Sequence, residues 1–254
     1  MKKMEGQAAD VLNVIFMIDT SGSMSGEKIN SINTAMPEIV DELKDFENSP
    51  EGRRVEFRFA VISFDSNVRW DVTPPKNLND FSWQNLKANG MTSLGRACEL
   101  VEEKLHVNSD FFSDVRTYLE PLIILLSDGE PNDDKWETKI EKLKKNKHFI
   151  NGTVISIALP DIDKSGEDVL IDFCRKGNEM LYISVSDPKK IVTVLKIASI
   201  SASKSMSSGG SMTNNNVAAM NVRADLQNGL AGIDNVDFEC VAPTDLQPKD
   251  ANDF

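Results

Sequence analysis

The stretch VLNVIFMIDTSGSM, residues 11–24, decides how this chain folds. Its first part, 11–18, is almost wholly apolar and shows no polar alternation, which predicts a parallel strand buried on both faces. The run PLIILL at 121–126 has the same character. Each run is followed at once by oxygen-bearing side chains: Asp19-Thr-Ser21-Gly-Ser23 after the first and Ser127-Asp128-Gly129 after the second.

Alternating strands and helices are predicted between these runs and beyond them. Apolar spacing predicts helices over about 24–46, 94–105, 134–147, 166–176 and from 188, and strands over 55–64, 68–73, 153–159 and 180–185. The short turn at 65–67 predicts an antiparallel hairpin, and Pro74-Pro75 is expected to end its second strand at a sheet edge. The expected fold is α/β: a doubly wound, mostly parallel six-stranded sheet with one antiparallel edge strand and helices on both faces.

The oxygen-bearing side chains are expected to meet at one rim of this sheet. The carboxyl ends of parallel strands share an edge, and ligands of open α/β sheets bind there. Gly90-Met-Thr92 adds a third loop with a hydroxyl. Two carboxylates and three hydroxyls suit a hard, oxygen-preferring dication such as Mg²⁺. The candidate metal ligands are Asp19, Ser21, Ser23, Thr92 and Asp128.

These segments resemble the metal-ion-dependent adhesion site of the von Willebrand factor A (VWA) domain family. The match is Asp19-x-Ser21-x-Ser23, then Thr92, then Asp128, with the flanks DTSGSMSGEKI, GMTSLGRA and LLSDGEPND. Within the family the chain is most similar to the bacterial tellurium-resistance TerY type. The resemblance covers roughly residues 10–202 and implies a VWA, Rossmann-like fold that binds Mg²⁺ or Mn²⁺ through those five residues.

The same resemblance implies a function. VWA domains of this kind are metal-dependent protein-binding modules, whose partner presents an acidic side chain to the metal. Similarity to the TerY group implies a scaffold in a bacterial stress response, acting beside kinase-like and phosphatase proteins. The alternative is a regulatory VWA subunit of a chelatase-type ATPase machine, with the ATPase on a separate chain.

Enzymatic functions are disfavoured by specific residues. A haloacid-dehalogenase-type phosphatase needs a second aspartate two residues after the first as a general acid, and this chain has Ser21 there. No G-x-G-x-x-G follows the first strand, as a dinucleotide site would require. No G-x-S-x-G elbow supports a serine hydrolase. The expectation is therefore a protein without enzymatic activity.

Composition narrows the partners and the compartment. The net charge of −12 argues against a nucleic-acid binder and against adsorption to anionic membranes. No apolar run is long enough to span a bilayer, and the start of the chain does not resemble a signal peptide. The three cysteines (Cys98, Cys174 and Cys240) indicate reduced thiols rather than a disulfide framework. The expected location is the cytoplasm.

A change of composition near residue 203 predicts a domain boundary. Residues 1–202 are expected to form the VWA domain, and 203–254 a Ser/Gly/Asn linker with an acidic tail. The tail carries seven Asp or Glu against three Lys or Arg. Its apolar residues leave a second interpretation open, a segment that folds on binding, because Val222, Leu226 and Leu230 have rough helical spacing and 238–242 could form a strand.

Overall fold

The computed structural model describes residues 9–52, 54–113, 117–177, 179–208 and 215–241. The strands are β1 (Asp10–Asp19), β2 (Val55–Phe64), β3 (Val68–Asn77), β4 (Leu122–Ser127), β5 (Thr153–Ala158), β6 (Met180–Val185) and β7 (Val236–Val241). The helices are α1 (Glu27–Glu47), α2 (Leu94–Lys104), α3 (Trp136–Lys144), α4 (Lys147–Asn151), α5 (Lys164–Cys174), α6 (Ile191–Ser208) and α7 (Asn215–Leu230). All seven strands form one sheet in the order β3-β2-β1-β4-β5-β6-β7.

The two apolar runs of the sequence are neighbouring central strands. β1 pairs in parallel with β2 on one side and with β4 on the other. Every residue from Val11 to Asp19 is buried, as is every residue of β4. Burial on both faces explains why neither strand shows polar alternation. The chain reverses its winding direction between β1 and β4, so their carboxyl ends flank the crevice where doubly wound sheets bind ligands.

Helices cover both faces of the sheet, as predicted. One apolar layer joins the sheet to α1, α6 and α7, with Ile32, Leu195 and Leu226 among its fully buried members. The other joins it to α2, α3, α4 and α5, with Val101 and Phe173 among its fully buried members. The expected α/β fold class is confirmed.

Both edge strands are antiparallel to their neighbours. β3 pairs with β2, which agrees with the predicted hairpin. Pro74-Pro75 was expected to end β3, but the strand continues through both prolines to Asn77. A proline lacks only its own N–H, and an edge strand can leave that position unpaired. β7 pairs with β6 at the opposite edge, which adds a seventh strand and a second antiparallel pair to the expected sheet.

One predicted helix is divided. The apolar spacing over 134–147 gives way to α3 and the short α4, separated by Lys145 and Asn146. The side chain of Asn146 accepts a hydrogen bond from the backbone N–H of His148, which caps α4 and fixes the break.

The C-terminal region differs most from its prediction. α6 runs past the expected boundary at residue 202 to Ser208, α7 packs on α6, and β7 completes the sheet. The Ser/Gly/Asn composition that begins at residue 201 suggested a linker, but Ala202 and Ser203 are fully buried in α6. Small side chains there let another helix approach closely. Residues 209–214 of the expected linker and 242–254 of the expected tail lie outside the described residues.

Within the described part of the chain, no helix has the length and apolar character needed to cross a bilayer.

Candidate metal centre

The carboxyl ends of β1 and β4 bring two of the predicted ligands to one rim. Ile18 is opposite Leu126 in the parallel register, so Asp19 and Ser127 end their strands side by side. Asp128 follows directly in the loop after β4. Residues 108 positions apart in the chain thus become neighbours, and Ser127 Oγ donates a 2.6 Å hydrogen bond to Asp19 Oδ2.

Asp19 is fully buried and is held by neutral donors. Besides Ser127, the backbone N–H of Ser21 donates to Asp19 Oδ1 at 2.7 Å. Burial raises the pKa of Asp19 to about 6, against an ordinary value of 3.8. Hydrogen bonds from Ser127 and Ser21 act in the opposite direction, and the nearby charge of Asp128 adds to the rise. The negative charge of Asp19 is therefore poorly compensated, and a cation bound beside it would stabilise the ionised form.

Ser21 and Ser23 connect Asp19 to Asp128 through hydrogen bonds. A 3₁₀ turn over Gly22–Met24 follows Ser21 and directs the serines toward the rim. Ser21 Oγ lies 3.0 Å from Ser23 Oγ, and Ser23 Oγ donates to Asp128 Oδ1 at 2.7 Å. Together with the bond from the Ser21 N–H to Asp19, these contacts join four of the five predicted ligands in one continuous series across two loops.

Thr92, the fifth predicted ligand, is held at the rim by hydrogen bonds of its backbone. Its N–H donates to Asn132 Oδ1 at 2.9 Å, and its carbonyl accepts from the N–H of Asn132 at 2.9 Å. The same loop contacts the first one, because the N–H of Gly22 donates to the carbonyl of Gly90 at 2.9 Å. Thr92 is 5% exposed. The three loops thus meet through backbone contacts that do not depend on a bound ion.

A glycine is needed at position 90 for its loop to approach the loop after β1. Its φ of +78° is one that residues with a Cβ rarely adopt. A Cβ at this position would also lie 2.6 Å from Ser66 Oγ, the atom that accepts a hydrogen bond from the N–H of Met91.

The sequence interpretation missed three side chains of this region. Ser127 and Asn132 were quoted within a motif but given no role. Lys28 was not considered, although its Nζ lies 2.6 Å from Asp128 Oδ2 in a nearly buried ion pair. It is the second residue of α1, and helical side chains lean toward the helix N-terminus, here toward the rim. Its place in GEKI, just after Ser23, was the available signal.

The donor atoms fit a hard dication. All five predicted ligands offer oxygen, the preference of Mg²⁺ and Mn²⁺, whereas zinc sites are usually built from cysteine and histidine. Among the described residues no group of three or more His, Cys, Asp or Glu could hold a metal. A dication at this rim would therefore depend on two carboxylates supplemented by hydroxyl groups.

Known proteins share this sequence pattern. The family model for the von Willebrand factor type A domain matches residues 13–196. Inter-alpha-trypsin inhibitor heavy chain H2 of Mesocricetus auratus is 30% identical over 179 residues, which is 65% of this chain and 16% of that protein. Heavy chain H4 of Homo sapiens is 31% identical over 131 residues, 50% of this chain and 13% of that protein. The chain thus matches only a small part of these relatives.

Solved structures share the fold at low sequence identity. The ArnB paralog VWA2 from Sulfolobus acidocaldarius has a TM-score of 0.55 and 21% identity, covering 76% of this chain and 46% of that one. The PilB minor pilin from Streptococcus sanguinis has a TM-score of 0.56 and 14% identity, covering 81% and 64%. With the family model matching most of the sheet and all three rim loops, this chain belongs to the von Willebrand factor type A domain family.

Proposed function

We propose that this protein is a metal-dependent protein-binding module, with Mg²⁺ or Mn²⁺ held by Asp19, Ser21, Ser23, Thr92 and Asp128. The observation that carries the proposal is the continuous series of contacts from Asp19 through Ser21 and Ser23 to Asp128. It places hard oxygen donors from separate loops at one rim, in a region already ordered by backbone hydrogen bonds.

The charges of the rim favour an acidic partner. Two carboxylates balance a dication, and hydroxyl groups add no charge, so the bound ion supplies an electrophilic position for an incoming carboxylate. The partner's Asp or Glu is the proposed ligand at that position. Met91, beside Thr92, is 56% exposed and offers an apolar contact next to the ion.

The proposal includes no catalysis. Ser21 stands where a phosphatase of the haloacid dehalogenase type would need a carboxylic acid, and its hydroxyl is engaged with Ser23. A hydroxyl group cannot replace a carboxyl group as general acid near neutral pH.

The finer biological assignment rests on motif similarity. The segments DTSGSM, GMTSLG and SDGEP support a role like that of TerY proteins, a cytoplasmic scaffold in a bacterial stress response with kinase-like and phosphatase partners. Cys98, Cys174 and Cys240 are unpaired, in keeping with a reducing compartment. A regulatory subunit of a chelatase-type ATPase machine is the alternative. Recovery of an ATPase, rather than a kinase or phosphatase, with the tagged protein would favour it.

Calorimetric titration with Mg²⁺ tests the metal centre. Wild type is expected to bind one ion, and Asp19→Ala is expected to lose roughly a hundredfold or more in affinity, because half of the ligand charge is gone. Asp168→Ala is the matched control, since it removes an exposed carboxylate that pairs with Lys164 on α5. Equal affinities in wild type and Asp19→Ala would refute the assignment.

Affinity capture tests the partner mode. Tagged protein is incubated with cell extract in Mg²⁺ or in EDTA, and the captured proteins are identified by mass spectrometry. Partners should be retained in Mg²⁺, lost in EDTA, and weakened by Thr92→Ala more than metal binding is weakened. The same partners in both buffers would show that the metal rim is not the interface.

A further inference from the structure

Lys28 is a buried ammonium group in contact with a proposed metal ligand. Its side chain is 9% exposed, and that of Asp128 is fully buried. Nζ lies 2.6 Å from Asp128 Oδ2, and a second contact of 3.3 Å reaches Asp161, whose side chain is 86% exposed. The first turn of α1 is thereby connected to the loops after β4 and β5.

The two carboxylates of the rim are therefore not equivalent. Both oxygens of Asp128 have donors, Ser23 at Oδ1 and the cation Lys28 at Oδ2. Among the described residues, the hydrogen-bond donors to Asp19 belong to Ser21 and Ser127 and are all neutral. Asp128 thus has a cationic partner within the protein. The charge of Asp19 has neutral donors instead, so it can be compensated by a bound cation.

A permanent cation at this position affects any ion that binds beside it. An ammonium group and a dication repel each other, and in a poorly solvated rim that repulsion is not fully screened. A dication and one ammonium group against two carboxylates leave the centre with one positive charge in excess. Asp161 offsets little of this excess, because its exposed carboxylate is screened by water.

We propose that Lys28 is an internal counterion of the metal centre: it holds Asp128 in place when no metal is bound, lowers the affinity for the dication, and makes the loaded centre net positive. The proposal rests on the metal centre argued above and assigns a role to a residue outside the ligand set. A loaded rim with surplus positive charge has a stronger preference for an anionic partner than two carboxylates and an ion alone would give.

Neutral substitutions of Lys28 test the role in metal binding. We expect Lys28→Met to bind Mg²⁺ roughly tenfold or more tightly than wild type in calorimetric titration, because a unit charge within a few ångströms changes an equilibrium by at least that factor. Lys28→Gln, which keeps a donor for Asp128 but no charge, should show the same direction. Lys28→Arg should remain close to wild type, since it preserves the charge.

A lysine at the other end of the same helix is the matched control. Lys44 lies in the last turn of α1, about 24 Å from Lys28 at the helical rise per residue. Lys44→Met changes the net charge of the protein by the same amount, and we expect it to leave Mg²⁺ affinity unchanged.

Thermal unfolding in EDTA and in Mg²⁺ gives a second readout. Without metal, Lys28→Met should melt below wild type, since Asp128 loses its buried partner. On adding Mg²⁺ its melting temperature should rise by more than that of wild type, because the ion now compensates Asp128 without opposition. Lys28→Gln covers the case in which Lys28→Met does not fold.

The outcomes separate the two proposals. If wild type binds Mg²⁺ and the neutral variants bind it equally or more weakly, Lys28 has only a structural role and this inference is wrong, while the metal centre stands. A lower melting temperature in EDTA with unchanged affinity would likewise show a purely structural role. If neither wild type nor any Lys28 variant binds Mg²⁺ or Mn²⁺, the proposed function itself fails and this inference fails with it.

Discussion

Two regions of the molecule, the metal rim and the C-terminal layer, bury different kinds of side chain. The metal rim consists of the three loops that carry Asp19, Ser21, Ser23, Gly90, Thr92 and Asp128, together with Lys28. It buries two carboxylates, the hydroxyl groups of Ser21 and Thr92 and one ammonium group, whereas Ser23 is exposed. The C-terminal layer, formed by α7 and β7, buries Val222, Leu226 and Leu230 against α6 and the sheet. Burying apolar groups stabilises a fold, whereas burying charge costs free energy unless it is paired.

The raised pKa of Asp19 shows that the rim retains part of that cost. We therefore expect the C-terminal layer to contribute mainly to stability and the metal rim mainly to ligand binding. Changes in the C-terminal layer should lower the free energy of unfolding and leave metal affinity intact. Changes in the metal rim should alter metal affinity more than they alter the free energy of unfolding.

Removing the C-terminal layer should have the largest effect. A chain ending at Ser208 loses the burial of Val222, Leu226 and Leu230, which is expected to cost roughly 5 kcal/mol of unfolding free energy or more. It also exposes the edge of β6 that β7 covers. Urea denaturation measures the loss, with a chain ending at Val241 as the control. The folded fraction should keep wild-type Mg²⁺ affinity, and equal stability of the two chains would contradict the packing described.

Leu226→Ala should reproduce that effect on a smaller scale. Leu226 is fully buried, and the cavity left by the substitution is expected to cost about 3 kcal/mol. The neighbouring Gln227 is exposed, so Gln227→Ala should be nearly neutral by the same denaturation measurement. If the two variants are equally stable, α7 does not occupy the position described.

A pair of glycines compares the two regions directly. Gly90 in the metal rim and Gly232 between α7 and β7 both have a φ of +78°. Replacing either with Ala should cost about 1–2 kcal/mol from the backbone conformation. A Cβ on Gly90 would also meet Ser66, whereas none of the described atoms lies within 4 Å of a Cβ on Gly232. Only Gly90→Ala should weaken Mg²⁺ binding in calorimetry, and equal affinities in both variants would count against the rim as the metal site.

The pH dependence of Asp19 should give the smallest effect. Its pKa is about 6 in the folded protein and near 3.8 when unfolded, so between these values the folded state binds more protons. The resulting stabilisation is complete below pH 3.8 and is lost as the pH rises through about 6. Metal-free protein should therefore gain about 1 kcal/mol from Asp19 between pH 7 and pH 5.

Asp19→Asn serves as the control for this prediction. The gain is the difference between wild type and Asp19→Asn in urea denaturation in EDTA at the two pH values. Mg²⁺ affinity should change in the opposite sense and fall below pH 6, since the ion requires the ionised carboxylate. A constant difference between the two proteins across this range would show that Asp19 does not titrate there.

The local sequence pattern was sufficient to predict those elements whose burial is visible in their own residues. The unalternated runs that became β1 and β4 could be recognised because a strand buried on both faces needs apolar residues at every position. Asp19 and Asp128 could be placed at one rim because parallel strands end together. For α7 and β7 the sequence pattern left two interpretations open, an acidic tail and a segment that folds on binding, and it did not show that β7 joins the sheet.

The sequence by itself determined the fold class, the family resemblance and the candidate ligands Asp19, Ser21, Ser23, Thr92 and Asp128, since strand burial and hydroxyl and carboxylate chemistry are local properties. Only the tertiary structure decided which charges meet. The ion pair of Lys28 and Asp128 joins residues 100 positions apart, and β7 reaches β6 across two helices. Such contacts depend on how whole elements pack, and no spacing along the chain encodes them.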